Sequence, residues 1–151
     1  MEIIFIALFV LFFICFTVFV ITTIKKQVSR IFTEDYSELK QKYPSPLYTW
    51  GVLSGSLSTK CNMLPFIFRG LLKIDVYEKM LIISAIGQGL CVPYAKYALK
   101  QKKALISYLV IENLPVYGKR GISPIDFKQT STLKINLSAD KIDTILKLAQ
   151  K

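Results

Sequence analysis

The chain contains no histidine among its 151 residues, and that absence removes most of the chemistry a small protein can carry. Without an imidazole there is no Ser-His or Cys-His nucleophilic pair, no His-based zinc site and no ordinary base titrating near neutrality. The three cysteines, Cys15, Cys61 and Cys91, form no CxxC pair of the metal-binding type. Cys15 lies inside an apolar run, so a Cys61–Cys91 disulfide is the one pairing open, with free buried thiols as the default. Cys91 follows the glycine turn Gly87-Gln88-Gly89 and precedes Pro93, a place where a thiol could be exposed and where Lys96 could lower its pKa. Packing as a small hydrophobe is the favoured reading of that cysteine. The GxG of the same turn has no third glycine and no strand-turn-helix context for a phosphate loop. Glu34, Asp35 and Glu38, the only acidic cluster, read as the solvated face of a helix. No catalytic, cofactor-binding or metal-ligating residue is assigned, and the chain reads as a non-enzyme that needs no cofactor. The alternative is a membrane-tethered thiol or Ser-Lys enzyme using Cys91 or an unidentified serine, because spacing alone selects no Ser-Lys pair.

The most distinctive polar feature is Tyr94-Ala95-Lys96-Tyr97-Ala98-Leu99-Lys100-Gln101-Lys102-Lys103. With Pro93 at a helix start, Lys96, Lys100 and Lys103 share one helical face and make a basic ridge beside tyrosines. Interleaved rings and lysines suit stacked bases or an anionic lipid surface, and the plain alternative is a solvated loop or strand edge. If the segment is extended, the shared face disappears. Lys25, Lys26 and Arg30 form a second basic group. The formal net charge of +10, carried almost wholly beyond residue 24, asks for an anionic neighbour.

These residues must be positioned by a chain whose apolar content is concentrated at its start. From Ile3 to Ile24 it reads IIFIALFVLFFICFTVFVITTI, without charge, Gly, Pro, Asn or Gln. About 22 residues at about 1.5 Å each span roughly 33 Å, enough for one crossing of a hydrocarbon core of about 30 Å. A cleavable signal peptide calls for a basic n-region, a shorter apolar core and a small-residue cleavage site, and none is present. Residues 1–24 are therefore expected to be an uncleaved anchor. Lys25, Lys26 and Arg30 follow it directly, which places the N-terminus outside and the remaining chain on the cytoplasmic side, at a bacterial inner membrane by the Lys- and Ile-rich composition.

Residues 25–47 are expected to form a juxtamembrane helix and linker. Val28, Ile31, Phe32, Tyr36 and Leu39 recur at helical spacing, and Pro44 and Pro46 mark the stop. Residues 48–151 change to short apolar runs broken by turn residues, which predicts β-structure. Leu72, Ile74 and Val76 alternate with Lys73, Asp75 and Tyr77, and Glu78-Lys79 turns the chain into Met80-Leu81-Ile82-Ile83. Further strands are expected at Ala104 to Ile111, Gly121 to Phe127 and Thr132 to Leu137. Ser138 is a natural N-cap for a closing amphipathic helix with Ile142, Ile145, Leu146 and Ala149 on one face. The sum is an α+β domain, a small antiparallel β-sandwich or barrel with one C-terminal helix, behind a transmembrane helix.

This order of elements resembles the pleckstrin-homology-like superfold and its GRAM-like and bacterial membrane-tethered versions. The likeness is carried by Gly70-Leu71-Leu72-Lys73-Ile74, the hairpin into Met80 to Ile83, the step Leu90-Cys91-Val92-Pro93-Tyr94 and the strand and helix Leu133 to Ala149, and it covers Tyr48 to the end. The resemblance implies an interaction module rather than an enzyme. Only Lys60, Arg69 and Lys73 stand where such domains carry a phosphoinositide signature, and the last helix lacks the tryptophan common among them. The expected partners are therefore membrane lipid through the anchor, an anionic lipid surface through Lys25, Lys26, Arg30, Lys96, Lys100 and Lys103, and an unidentified protein. Nucleic acid is the disfavoured partner.

Overall fold

The computed structural model describes residues 2–59, 66–115 and 130–151; Cys61 and the strand expected at Gly121 to Phe127 lie outside them. The chain opens with α1, Glu2–Val28. Its stretch Ile4–Thr23 has mean hydropathy 3.3, is long and apolar enough to cross a membrane, and is not buried against the rest of the protein. That composition fits a membrane span or a signal sequence. The hydroxyls of Thr17, Thr22 and Thr23 each donate to the carbonyl four residues back, so none of the three enters an apolar surrounding unpaired.

The single helix expected from Lys25 to Tyr43 is replaced by two helices on either side of a break. After α1 come a two-residue strand β1, Glu34–Asp35, and the short helix α2, Tyr36–Lys42. Asp35 caps α2, its Oδ1 accepting from the Ser37 N–H at 2.7 Å and the Glu38 N–H at 3.4 Å. The break is dictated by packing. Val28, Ile31 and Phe32 enter the main core, whereas Leu39, flanked by Tyr36 and Tyr43, joins a second cluster with Tyr77 and Ile82. Those clusters lie on opposite faces of one sheet, and a straight helix cannot reach both. The chain crosses the sheet edge at β1 instead.

The strands that follow are β2 Tyr48–Thr59, β3 Phe66–Val76, β4 Met80–Ala85, β5 Gln88–Pro93, β6 Leu99–Lys103, β7 Ser107–Pro115 and β8 Thr130–Asn136, and the helix α3, Ala139–Ala149, closes the chain. Every pairing is antiparallel, in the order β1-β5-β4-β3-β2-β8-β7-β6. Two meanders, β2 to β5 and β6 to β8, are thus joined where β2 pairs with β8, from Gly55 opposite Ile135 to Thr59 opposite Ser131. The sheet is open, with β1 and β6 as its edges among the described residues. The strand expected from Ala104 begins three residues later at Ser107, and that expected at Thr132 to Leu137 spans Thr130–Asn136.

Period-two alternation decides which side chains meet in the middle. Leu72, Ile74 and Val76 of β3, Leu81 and Ile83 of β4, Leu90 and Val92 of β5, Leu109 and Ile111 of β7 and Leu133 and Ile135 of β8 share one core. Since both meanders contribute to it, the sheet bends around that core. The bend coincides with bulges, one between Val52 and Ser54 on β2 and one between Ile111 and Leu114 on β7, where Asn113 takes a φ of 61°. Gly55 follows the first bulge; a Cβ there would lie 2.5 Å from Leu72 Cδ1 and 3.2 Å from the Lys134 carbonyl oxygen. Ile142 and Ile145 of α3 complete the core. Ser138 occupies the N-cap position of α3 with extended backbone, but its side chain makes no capping hydrogen bond.

β4 is buried along Leu81 to Ala85 on both faces, because α2 covers its outer side. That cover depends on Gly89 of β5: a Cβ there would collide with Leu39 Cδ1 and stand 3.5 Å from the Tyr36 Cα. Gly89→Ala is expected to cost about 1–3 kcal/mol, the usual range for overpacking. Hydrogen exchange should show the loss of protection confined to α2 and β5, and unchanged exchange there would mean that α2 is not seated on Gly89.

Candidate interaction surface

The lysines expected on one helical face lie instead on a turn and an edge strand. Lys96 sits in the turn after β5 with its Nζ 5.5 Å from the centre of the Tyr97 ring. Lys100 and Lys103 belong to β6, where an odd separation sends them to opposite faces. The sequence signal was present: Leu99 and Gln101 alternate with Lys100 and Lys102, a strand period rather than a helical one. Among the described residues β6 pairs only with β7, and lysines along such an edge deter pairing with another chain's strand.

The extended geometry assembles a different group of residues. Lys100 stands opposite Val110, and Val110 opposite Lys134, so both lysines occupy one row across three strands. Lys102 lies on the same face as Lys100, and together with Val110, Glu112, Thr132 and Lys134 they line an open cleft of about 300 Å³. Glu112 accepts from Lys100 Nζ at 2.7 Å, an exposed pair of the kind worth at most about 1 kcal/mol. The β6–β7 turn carries Ala104, Leu105 and Ile106 directly after Lys102 and Lys103, and Leu105 is fully exposed. Lys102 stands in the basic run without belonging to the expected helical face, and Lys134 joins it only through strand register.

Lys25 is exposed near the C-terminal end of α1, and Lys26 falls within the same last turn. Arg30 is half-buried just beyond it, with its Nε shielded from solvent. The three follow the apolar stretch within seven residues of Thr23, as their spacing requires. They do not line the cleft that holds Lys100, Lys102 and Lys134.

A second cleft of about 350 Å³ has Tyr94, Ala95, Leu148 and Ala149 with Glu78, Lys79 and Lys151 around it. It lies between the β3–β4 turn, the end of β5 and the end of α3.

Cys91 lies on the outer face of β5 with its Sγ 3.4 Å from Met80 Sδ. Burial, and then the nearby Glu34 carboxylate, push the thiol pKa up, and Lys42 rather than Lys96 is the cation that opposes this weakly. That is the opposite of what an activated nucleophile needs. Among the described residues no group of three or more His, Cys, Asp or Glu is placed to hold a metal.

The one deeply buried charged side chain among the described residues is Asp75, on the face of β3 beneath α2. It accepts from Tyr36 Oη and from Thr49 Oγ1, each at 2.6 Å, and Lys73 Nζ lies 5.4 Å from the centre of the Tyr36 ring. Tyr77 Oη donates to the Tyr43 carbonyl at 2.6 Å, and Tyr94 Oη to the Tyr77 carbonyl at 3.0 Å. These contacts tie α2 and the chain after it to the sheet. They hold structure.

Burial raises the pKa of Tyr36, Tyr77 and most strongly Tyr94, and the Tyr36 hydroxyl raises that of Lys73. Cys91 shifts the same way. In each case the folded state holds its proton more tightly than the unfolded chain, whose groups titrate near 9.0 for the thiol, 10.0 for tyrosine and 10.5 for lysine. The stability they supply is complete below those values and is lost as pH rises through them. Melting temperature should therefore fall from about pH 9 upward, and Tyr94→Phe should flatten the decline. A melting temperature level to pH 11 would contradict this.

Fold and surface together define an α+β protein in which an apolar N-terminal helix leads into an open antiparallel sheet carrying a basic edge. Comparison with protein-family models, with curated proteins and with solved structures gives no match.

Proposed function

We propose that this chain is a non-enzymatic single-pass membrane protein. In this reading α1 is an uncleaved anchor, and a pleckstrin-homology-like domain is presented to a protein partner at the cytoplasmic surface of a bacterial inner membrane. Its role is that of a subunit of a membrane assembly or an immunity-type protein. The observation that carries this reading is the junction. α1 runs unbroken past its apolar stretch to Val28, and Val28, Ile31 and Phe32 are buried in the domain core. Only about five residues, or roughly 8 Å of helix, separate Thr23 from that core, so the domain is held against the bilayer rather than hung from a linker.

The strand order of two meanders joined at their first and last strands, followed by a helix that enters the core, supports the pleckstrin-homology-like reading. Lys25, Lys26 and Arg30 support the cytoplasmic placement. The contact surface is the β6–β7 hairpin with Lys100, Lys102, Lys103 and Leu105, next to Lys134, and Lys96 stands nearby in the chain. Basic side chains near an anionic leaflet contribute about 1 kcal/mol each, so the anchor holds the protein and the lysines orient it.

A photoreactive residue at position 105 of the full-length protein in its native membrane tests the reading. The expected result is one abundant protein adduct that is lost when Lys100, Lys102 and Lys103 are changed to Glu. Adducts to lipid alone would replace the protein partner by the membrane surface, and a C-terminal reporter found outside would overturn the cytoplasmic placement.

A further inference from the structure

Six of the ten phenylalanines in the chain lie in α1, and they are not scattered. Phe5, Phe9, Phe12, Phe16 and Phe19 follow steps of four, three, four and three, the alternation of the two core positions in a heptad repeat. At about 100° per residue all six, with Phe13 at one margin, occupy roughly a third of the circumference. The opposite side carries Ala7, Val10, Ile14, Val18 and Ile21. Every ring of the series is strongly exposed, and none of the span is covered by the domain. Phe12 and Phe16, in the middle of the series, stack with centroids 6.2 Å apart and planes 18° apart.

Hydrocarbon surrounds a lone span equally on all sides and gives no reason to gather aromatic residues at a 3.5-residue period. A neighbouring helix does, because that period keeps one seam facing a partner over several turns. The residues of the seam say which partner. No charged group lies in it. The next member of the series, Thr23, spends its hydroxyl on the Phe19 carbonyl of its own helix at 2.9 Å, so it asks nothing of a foreign chain. Copies of one chain inserted by the same route share an orientation, so two such helices run parallel and in register, and each ring layer meets its own copy. The seam is self-complementary in the way a two-fold interface requires. Paired rings gain beyond simple burial through edge and offset contacts. With no glycine in the helix to permit a close right-handed crossing, the geometry left is the shallow left-handed one of coiled coils.

We infer that α1 is also a self-association helix, in which two copies pack in parallel through Phe5, Phe9, Phe12, Phe16 and Phe19. This rests on the reading of α1 as a membrane span. Since Val28, Ile31 and Phe32 fix each domain to its own helix, pairing of the spans also sets the distance between the two domains.

The test is oxidative cross-linking of the full-length protein, purified and reconstituted in liposomes, with its three native cysteines changed to serine and one new cysteine at a time. Phe12→Cys and Phe16→Cys are expected to give dimers at least about fivefold more efficiently than Val10→Cys and Ile14→Cys, which lie outside the seam. In a cysteine-free chain, changing Phe9, Phe12 and Phe16 together to Leu keeps the span apolar while removing the rings, and it should lower a chemically cross-linked dimer yield about tenfold. Equal yields at all four cysteine positions, or a maximum at Ile14, would overturn the inference. Extraction in alkaline carbonate separates the two readings. A protein that resists extraction but shows no seam pattern loses the self-association alone, whereas one released from the membrane loses the span and with it the pairing.

Discussion

Replacing Phe32 with alanine is expected to destabilise the domain by about 3–5 kcal/mol, a large share of the roughly 5–15 kcal/mol that holds a domain of this size together. The side chain is fully buried, and its backbone N–H donates to the Val28 carbonyl at 2.9 Å, so the residue sits at a fixed place at the end of α1. Val28 and Ile31 are buried with it, and the cavity left by the ring cannot close without moving the helix end. Urea unfolding of the full-length protein in detergent would measure the loss. The single tryptophan, Trp50, packs against the same core and reports the transition. A loss under about 1 kcal/mol would mean that the junction does not brace the domain, and the proposal of a domain held tightly at the bilayer would fall with it.

Asp75→Ala is expected to cost about 3 kcal/mol, through a different mechanism. The carboxylate is buried between β3 and α2, and it receives hydroxyls from two separate elements, Tyr36 of α2 and Thr49 of β2. Hydrogen bonds to a charged acceptor contribute about 1.5–3 kcal/mol each, and removing the acceptor leaves the half-buried Tyr36 hydroxyl without its partner, whereas the exposed Thr49 hydroxyl can turn to water. Tyr36→Phe should cost less, since it removes one donor and leaves the Thr49 bond. Combining the two changes should be less than additive by at least about 1 kcal/mol, because they break the same bond. Additive losses, or a loss below about 0.5 kcal/mol for Asp75→Ala, would show that this carboxylate does not seat α2.

Both residues mark places where the linear pattern was ambiguous. Val28, Ile31, Phe32, Tyr36 and Leu39 do recur at helical spacing, but the first three serve one face of the sheet and the last two serve the other. Periodicity reports that side chains are buried and not what buries them, so one helix was expected where the chain breaks and crosses an edge. Asp75 alternates with the apolar residues of its strand, and nothing local announces that α2 will cover that face. The hairpin of β3 and β4 was legible because Leu72, Ile74 and Val76 alternate strictly and Glu78-Lys79 supplies the turn. The closing helix was legible because Ile142 and Ile145 lie one turn apart behind Ser138, although the serine makes no capping bond.

For the surface, the residue types were readable and their arrangement was not. Lys96, Lys100 and Lys103 were grouped by a helical period that the edge strand β6 does not have, whereas Lys134, far along the chain, joins Lys100 through the register of three strands.

By itself the sequence determined that the chain begins with an apolar helix, that the rest is a basic α+β domain, and that His-based chemistry is closed to it. These follow from composition and short-range periodicity, which each residue carries wherever it is placed. Only the tertiary structure decided that the helix end is part of the domain core, that Asp75 lies under α2 and that the lysines form an edge. Those depend on contacts between residues distant along the chain, and such contacts are fixed by packing one shared core.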